Sequence, residues 1–229
     1  QVSQSLRASI LGRRPDAPLR LPTEDDLARH YGVSVLTVRQ ALKPLEDEGL
    51  ITRHRRRGTF IDPSARPSAP VRLFGSVDAI VAQQSGAEVT VLDRRTGPVP
   101  PEVAEYFPGT AETVVFRRLR RQDGEPSNWA ENHLLPALGE RVETADLKRW
   151  PMTKVLRDRL GVRIGRITNI VQAQLADPET ARLLQVPLLS PVLHCTGVTY
   201  DEDGRVVDVA LIRYRGDRFS FSVTLDTGS

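Results

Sequence analysis

The sequence has few of the residues that build catalytic or metal centres. A single cysteine, Cys195, stands among 229 residues, which excludes an internal disulfide and leads us to expect a reducing, cytoplasmic compartment. Its apolar surroundings are typical of a small buried hydrophobe. The four histidines fall in separate segments without metal-ligand spacing, and no glycine-rich phosphate loop or nucleophile elbow is present. We therefore expect no metal, no cofactor and no enzymatic activity.

Long apolar runs are also missing. No stretch approaches the roughly 18 consecutive apolar residues that suggest a membrane span, and the first residues contain no apolar core of a signal peptide. An apolar content of 39% and a charged content of 27% are those of a soluble globular protein. The length allows one large or two modest domains.

The small net charge of +3 is unevenly distributed. Residues 1–62 carry eleven Lys or Arg against eight Asp or Glu, whereas the remaining chain carries 21 of each. The whole positive surplus therefore lies in the first quarter of the chain. A nucleic-acid partner is expected there and not in the rest.

Residues 21–61 predict two short helices joined by a tight turn and followed by a basic hairpin. Thr23 and Ser34 are candidate N-caps, and Gly32 stands where a helix ends in the left-handed conformation. The second helix has a predicted buried stripe at i, i+3, i+4 and i+7, formed by Val38, Ala41, Leu42 and Leu45. Pro44 lies inside this pattern and is expected to kink or shorten the helix.

Several polar side chains of the second helix lie off the buried stripe and are predicted to face DNA. They are Thr37, Arg39, Gln40 and Lys43. A recognition helix contacts base edges and phosphates with such side chains from its N-terminal part.

The hairpin that follows contains four arginines and closes with a glycine. This composition is typical of a wing whose tip meets phosphates or the minor groove, although a charge run alone is as typical of a solvated loop. The predicted contacts are Arg55, Arg56, Arg57 and Gly58, to which the cap hydroxyls of Thr23 and Ser34 are added. We interpret the whole stretch as a winged helix-turn-helix.

A proline-rich segment separates this part from a mixed α/β remainder. We expect a winged-helix domain at 1–62, a semi-rigid linker at 63–70 and a second domain at 71–229. Strands are predicted at 88–95, 113–121, 128–135, 162–176, 192–200, 206–214 and 219–225, and helices at 76–85, 101–107, 152–160 and 178–185. This pattern predicts an α+β protein of two domains, the second being an antiparallel sheet with packed helices.

The first domain resembles the DNA-binding domain of the GntR family of bacterial repressors. The motifs LPTE, LA, YGVS, TVRQAL, LEDEGL and RGTF follow the family's order and spacing over about forty residues. Three positions depart from the family pattern. Asp25 and Val35 stand where the family often has arginine, and Arg56 replaces a common wing glycine. Two familiar DNA-contacting arginines are thus absent, while the wing gains charge.

The second domain resembles the UTRA effector-binding domain of HutC-type GntR regulators. The resemblance rests on RLRRQDGEP at 118–126, LLP at 134–136, the stretch at 168–187, VTYDEDGRVVD at 198–208 and RYRGDRFSF at 213–221. It implies a chorismate-lyase-like fold that binds small metabolites.

Five residues are candidate effector ligands. Arg118 and Arg120 lie two apart on a strand and so share a face, and forked guanidiniums suit a carboxylate or phosphate. In the family the arginines of this RLR motif hold anionic effectors. A cross-strand ion pair or a solvated face remains the alternative. Asp208 and Tyr214 match an acid and a tyrosine of the family's pocket, or they form a structural pair. Glu131 is added from the return strand.

Pro151 falls where sugar-phosphate-binding members have a hydroxyl residue. Because a proline cannot donate a hydrogen bond there, a sugar phosphate is not favoured, and an anionic or carboxylated metabolite is an equal candidate. The resemblance implies a bacterial transcriptional repressor that binds an inverted-repeat operator in double-stranded DNA. It also implies a homodimer formed through the second domain and operator binding modulated by a small effector. Two alternatives stay open: a non-specific DNA-binding protein, and a small-acid-converting enzyme fused to a DNA-binding domain.

Overall fold

The computed structural model describes residues 2–11, 18–55, 57–63 and 87–219. The chain divides into two compact units, Gln1–Ser68 and Ala69–Ser229. The predicted linker beyond Pro63, the helix predicted at 76–85 and the strand predicted beyond Phe219 lie outside the described residues. In the described part of the chain, no helix combines the length and apolar character needed to cross a membrane.

The described part of the first unit contains three helices and a two-stranded hairpin, and the last two helices and the hairpin are those predicted at residues 21–61. The elements are α1 (Val2–Leu11), α2 (Glu24–Tyr31), α3 (Val35–Asp47), β1 (Ile51–His54) and β2 (Gly58–Ile61). The predicted caps are confirmed: Thr23 Oγ1 accepts the backbone N–H of Asp26 at 3.2 Å, and Ser34 Oγ accepts that of Thr37 at 3.1 Å. Gly32 ends α2 at φ 63°, a conformation that glycine adopts without strain.

A small apolar core holds these short elements together, because helices of 8 to 13 residues have little stability alone. The predicted stripe on α3 is buried, and Val38, Leu42 and Leu45 are fully so. Pro44 does not shorten α3, which continues to Asp47. The core consists of Leu6, Ile10, Leu21, Leu27, Ala28, Val38, Leu42, Leu45, Ile51 and Ile61.

The described part of the second unit contains a six-stranded antiparallel sheet with the strand order β3-β4-β5-β8-β7-β6. The strands are β3 (Glu88–Pro98), β4 (Glu112–Gln122), β5 (Glu125–Leu134), β6 (Ile164–Leu175), β7 (Pro191–Asp201) and β8 (Val206–Arg215). Asp123 at φ 53° and Gly124 at φ 79° form the tight turn between β4 and β5, a geometry that favours an Asp-Gly pair. The predicted antiparallel sheet is thereby confirmed.

Among the described residues of this unit, five helical segments accompany the sheet. A 3-10 helix spans Pro101–Tyr106, and the α-helices are α4 (Pro136–Gly139), α5 (Thr144–Leu147), α6 (Met152–Asp158) and α7 (Pro178–Leu184). The sequence did not predict α4 and α5, because four residues are too few to display a helical period.

Side chains alternate between the two faces of the sheet. We call the face that carries Arg118 and Asp208 face A, and the face that carries Trp129 and Arg213 face B. Helices α5 and α6 cover part of face A through Leu147, Val155 and Leu156, which pack with Phe116. Helix α7 packs on face B against Leu119 and Trp129, and the 3-10 helix packs there against Val198, Val209 and Leu211.

Candidate functional site

The first unit presents an exposed polar surface on α3. Thr37, Arg39, Gln40 and Lys43 are all exposed, on the side of the helix that the buried stripe leaves free. The hydroxyls of Ser34 and Thr37 lie 2.9 Å apart at the N-terminus of α3. A recognition helix contacts base edges with polar side chains near its N-terminus. Helix α3 presents such side chains there.

The hairpin tip brings further positive charge to the same unit. Arg55 and Arg57 are exposed, while Arg56 lies outside the described residues. Gly58 at φ 107° allows the sharp return into β2, and a Cβ there would approach Arg20 Nε to 3.3 Å. The positive φ at residue 58 therefore favours glycine, and a larger residue would also require the Arg20 side chain to shift by a few tenths of an ångström.

Acidic side chains hold two of these basic residues. Lys43 Nζ donates to Asp47 Oδ1 at 2.8 Å, one turn further along α3. Arg39 Nε donates to Glu24 Oε2 at 2.6 Å, which ties α3 to the start of α2. These pairs orient the side chains at the surface without burying them.

A cavity of about 780 Å³, open mouth included, lies on face A between the sheet and the start of α6. Part of its lining is apolar and includes Val89, Met152, Ile167 and Ile212. Its polar lining consists of Arg118, Arg120, Asn128, Asn132, Thr153, Asn169, Thr199, Asp208 and Tyr214. The structure thus brings four of the five candidate effector ligands together.

A chain of hydrogen bonds runs across the floor of this cavity over three strands. Arg118 Nη2 on β4 donates to Asn132 Oδ1 on β5 at 2.5 Å. Asn132 Nδ2 donates in turn to both carboxylate oxygens of Asp208 on β8, at 2.8 and 3.0 Å. All three side chains are at least nine-tenths buried, so their geometry is fixed by the sheet.

Some hydrogen-bonding groups of the cavity have no partner among the described residues. These buried atoms are Arg118 Nε and Nη1, Arg120 Nε and Thr153 Oγ1. An unsatisfied buried donor costs about 1–3 kcal/mol, and more when it is charged. A bound anion would satisfy the two guanidiniums at once.

Burial shifts the pKa values of three side chains in this cavity. Burial and the charge of Arg120 lower the pKa of Arg118 to about 10, which leaves it charged at neutral pH. Burial raises the pKa of the Asp208 carboxyl to about 7, against the opposing effects of Asn132 and Arg118. Burial also raises the pKa of Tyr214. Asp208 therefore exchanges its proton near neutral pH.

Glu131 is not part of this cavity, which corrects the expectation from the sequence. It lies on face B, opposite Arg117 in the register of β4 and β5. Its carboxylate is 3.3 Å from Arg117 Nε and 3.1 Å from Arg213 Nη1, and both guanidiniums stack on Trp129. Glu131 thus pairs with two arginines on the packed face of the sheet.

Several residues of these sites were not singled out from the sequence, and four of them matter most for the arguments below. Asn132 and Thr153 enter the cavity from β5 and α6, Glu24 binds Arg39, and Leu36 is 63% exposed at the start of α3. Only Leu36 left a detectable signal, an apolar residue off the buried stripe. The other three depend on contacts between distant segments.

Metal ligation and cysteine chemistry can be judged from the described residues. No three of their His, Cys, Asp or Glu side chains are grouped so that they could hold a metal ion. Cys195 lines the cavity, but burial raises the pKa of its thiol to about 11. A protonated thiol is a poor nucleophile.

Comparison with known families assigns both units. A model of bacterial regulatory proteins of the gntR family matches residues 1–61, and a UTRA domain model matches residues 82–220. The chain belongs to the GntR family. This architecture fits the HutC subfamily, as the motifs predicted. This protein is a DNA-binding transcriptional regulator, and its first unit is the DNA-binding domain of the family.

Several known proteins are similar to this GntR-family regulator over nearly its whole length. The HTH-type transcriptional regulator Rv0792c of Mycobacterium tuberculosis is 30% identical, over 98% of this chain and 84% of that protein. The HTH-type transcriptional repressor NagR of Bacillus subtilis is 24% identical, over 99% and 93% respectively. The crystal structure of PhnF from Mycobacterium smegmatis, 23% identical, matches with a TM-score of 0.60 over 100% of both chains.

Proposed function

We propose that this regulator is a homodimeric repressor of an inverted-repeat operator, and that a small anionic metabolite bound in the face A cavity changes its operator affinity. The proposal that an effector binds rests on the burial and the incomplete hydrogen bonding of Arg118. Its guanidinium is 8% exposed and keeps two donor nitrogens without a partner among the described residues. Such a group is costly to bury unless a ligand completes its hydrogen bonds.

We assign one role to each of the three segments predicted from the sequence. Residues 1–62 bind DNA, residues 63–70 link, and residues 71–229 bind the effector and form the dimer. Two winged helices then read two half-sites, with Thr23, Ser34, Thr37, Arg39, Gln40, Lys43, Arg55, Arg56, Arg57 and Gly58 as the contacts. The exposed Leu36 adds an apolar contact suited to a thymine methyl group. The name of NagR as a repressor supports repression.

Effector control needs only a modest coupling between the two sites. A ligand that binds one arrangement of the dimer better than another shifts the population toward it. A coupling of about 1–3 kcal/mol changes operator affinity roughly 5- to 150-fold.

The chemistry of the lining indicates the effector class. Arg118, Arg120 and Thr153 supply unpaired donors for an anionic group, while Met152 and Ile167 offer apolar contact to the rest of the molecule. Pro151 lines the cavity without a donor of its own. We therefore infer a carboxylated or other small anionic metabolite with a partly apolar body.

Two measurements test this function together. The intact protein is used to select its preferred duplex from a random pool, and the selected site should be an inverted repeat. A panel of small carboxylates and phosphates is then screened by thermal shift and calorimetry, and each binder is added to the protein–operator complex. A selection that yields no preferred sequence, or a set of true binders none of which alters operator affinity, would contradict the proposal.

Anion binding is expected to weaken as the pH rises through neutrality. Asp208 has a raised pKa of about 7, so it is largely neutral below that pH and ionised above it. Once ionised, the Asp208 carboxylate compensates the positive charge of Arg118 and repels an incoming anion. Affinity should therefore fall by up to about tenfold per pH unit above roughly pH 7. Calorimetry with a carboxylate that stays ionised throughout measures this dependence.

The matched variant is Asp208→Asn, which keeps the size of the side chain and cannot ionise. Its affinity should be nearly constant from about pH 6 to about pH 8.5. A wild-type affinity that is equally flat, or an equal slope in the variant, would show that Asp208 does not control binding.

The two alternatives make different predictions. A non-specific DNA binder would show a steep salt dependence without sequence preference. The raised pKa of Asp208 in the cavity favours turnover of a small acid. Incubation of each binder with the protein, followed by mass analysis, decides this point, because an effector is recovered unchanged.

A further inference from the structure

One carboxylate joins three elements of the DNA-binding domain. Glu24 is the first residue of α2. Its Oε2 accepts from Arg39 Nε on α3 at 2.6 Å, and its Oε1 accepts from Arg53 Nη2 on β1 of the hairpin. Both oxygens of one side chain are therefore used, one for the recognition helix and one for the wing.

The charge and exposure of this cluster fit a fixed arrangement at the surface. The Glu24 side chain is 22% exposed, compared with 31% for Arg53 and 59% for Arg39. Burial acts to raise the pKa of Glu24, but the hydrogen bonds and charges of Arg39 and Arg53 outweigh it and lower the pKa. Glu24 is thus ionised at neutral pH, and the two arginines retain one net positive charge beyond it.

The contact to Arg39 leaves that arginine able to read DNA. Glu24 engages Nε, so the Nη1 and Nη2 groups stay available for a guanine edge or a phosphate. A side chain already held in one orientation loses less freedom when it binds. The contact to Arg53 at the same time fixes the hairpin relative to α3, and hence the spacing between wing and recognition helix.

A carboxylate at this place has a second effect. Negative charge near the DNA surface repels phosphates and reduces the sequence-independent part of the affinity. The charge of Glu24 therefore weakens DNA binding in general. It is useful only if Glu24 improves the placement of Arg39 and the wing on the correct sequence.

We propose that Glu24 is a positioning residue for sequence readout, which orients Arg39 and sets the wing while lowering the affinity for unrelated DNA. It does not touch the bases and acts through the two arginines. The alternative explanation is an ion pair that only stabilises the fold.

The test compares Glu24→Gln with wild type in the full-length protein, on the selected operator and on an unrelated duplex. The amide keeps the size of the side chain but removes the charge and one acceptor. Operator affinity should fall about tenfold, while affinity for the unrelated duplex should rise a few-fold and its salt dependence steepen by about 1 per subunit. A stabilising ion pair predicts no such opposite changes.

The matched control is Asp25→Asn, which removes the same charge from the next residue of the same turn. It should raise both affinities by similar factors and leave their ratio unchanged. Glu24→Asp keeps the charge on a shorter side chain, so it should lose operator affinity without gaining affinity for the unrelated duplex. In an Arg39→Ala background Glu24→Gln should lower operator affinity less than it does in wild type, because only the contact to Arg53 is then lost. The gain in affinity for the unrelated duplex should persist, because it depends on the charge of Glu24 alone.

The outcomes separate this inference from the proposed role of Arg39. If Glu24→Gln lowers both affinities in parallel with the melting temperature, or leaves their ratio at the wild-type value, the positioning role is wrong. If Arg39→Ala alone binds the operator normally, the proposed contact by Arg39 fails, and the inference for Glu24 fails with it.

Discussion

Replacing Arg39 with alanine is expected to abolish sequence-specific operator binding and to leave effector binding intact. Arg39 lies on the exposed side of α3 with its Nη groups available. One lost bidentate contact to a base reduces affinity roughly 5- to 150-fold, and a dimer loses it at both half-sites. The combined loss should reach at least about 30-fold, measured by fluorescence anisotropy with the selected duplex.

The control for this prediction is Arg182→Ala, which removes the same charge from an exposed side chain of α7 in the other unit. It should bind the operator like wild type. The thermal stabilisation by an anionic binder should be equal in both variants. Unchanged operator affinity in the Arg39 variant would count against α3 as the reading element.

Replacing Arg118 with methionine is expected to remove anion binding. Methionine keeps much of the apolar volume but supplies neither charge nor donors. A buried hydrogen bond to a charged group contributes about 1.5–3 kcal/mol, and Arg118 offers two unpaired donor nitrogens. Affinity for the best anion should therefore fall at least about 100-fold by calorimetry. The variant should still bind the operator and no longer respond to the effector.

The adjacent residue provides a sharp control. Arg117 has the same chemistry but lies on face B, where it stacks on Trp129 and pairs with Glu131 and Glu179. Arg117→Met should alter the free energy of unfolding and leave anion affinity close to wild type. Equal losses of anion affinity in both variants would mean that the effect arises from the sheet as a whole and not from the cavity.

Local signals in the sequence predicted most of the fold. Thr23, Gly32 and Ser34 act through hydrogen bonds and backbone angles within four residues of their own position, so their effects are visible in a short window. The same holds for the stripe from Val38 to Leu45 and for the Asp-Gly turn after β4. The two-residue spacing of Arg118 and Arg120 was enough to place both side chains on one face.

The site could be predicted only in part, because its geometry depends on strand register. Asn132 and Asp208 are 76 residues apart in sequence, and only the pairing of β5 with β8 brings them together. The same register places Glu131 opposite Arg117, where the sequence alone could not distinguish it from a neighbour of Arg118. The bond between Glu24 and Arg39 likewise spans 15 residues.

The alternation of side chains on β4, β5 and β8 has a consequence for the evolution of this regulator. Even-numbered positions such as 118, 130 and 208 line the cavity, whereas odd-numbered positions such as 129 and 211 hold the sheet against its helices. Substitutions at the cavity-lining positions can therefore change the shape and charge of the cavity while the packing of face B stays intact. A one-residue deletion in β4 would instead exchange the two sets and destroy both at once.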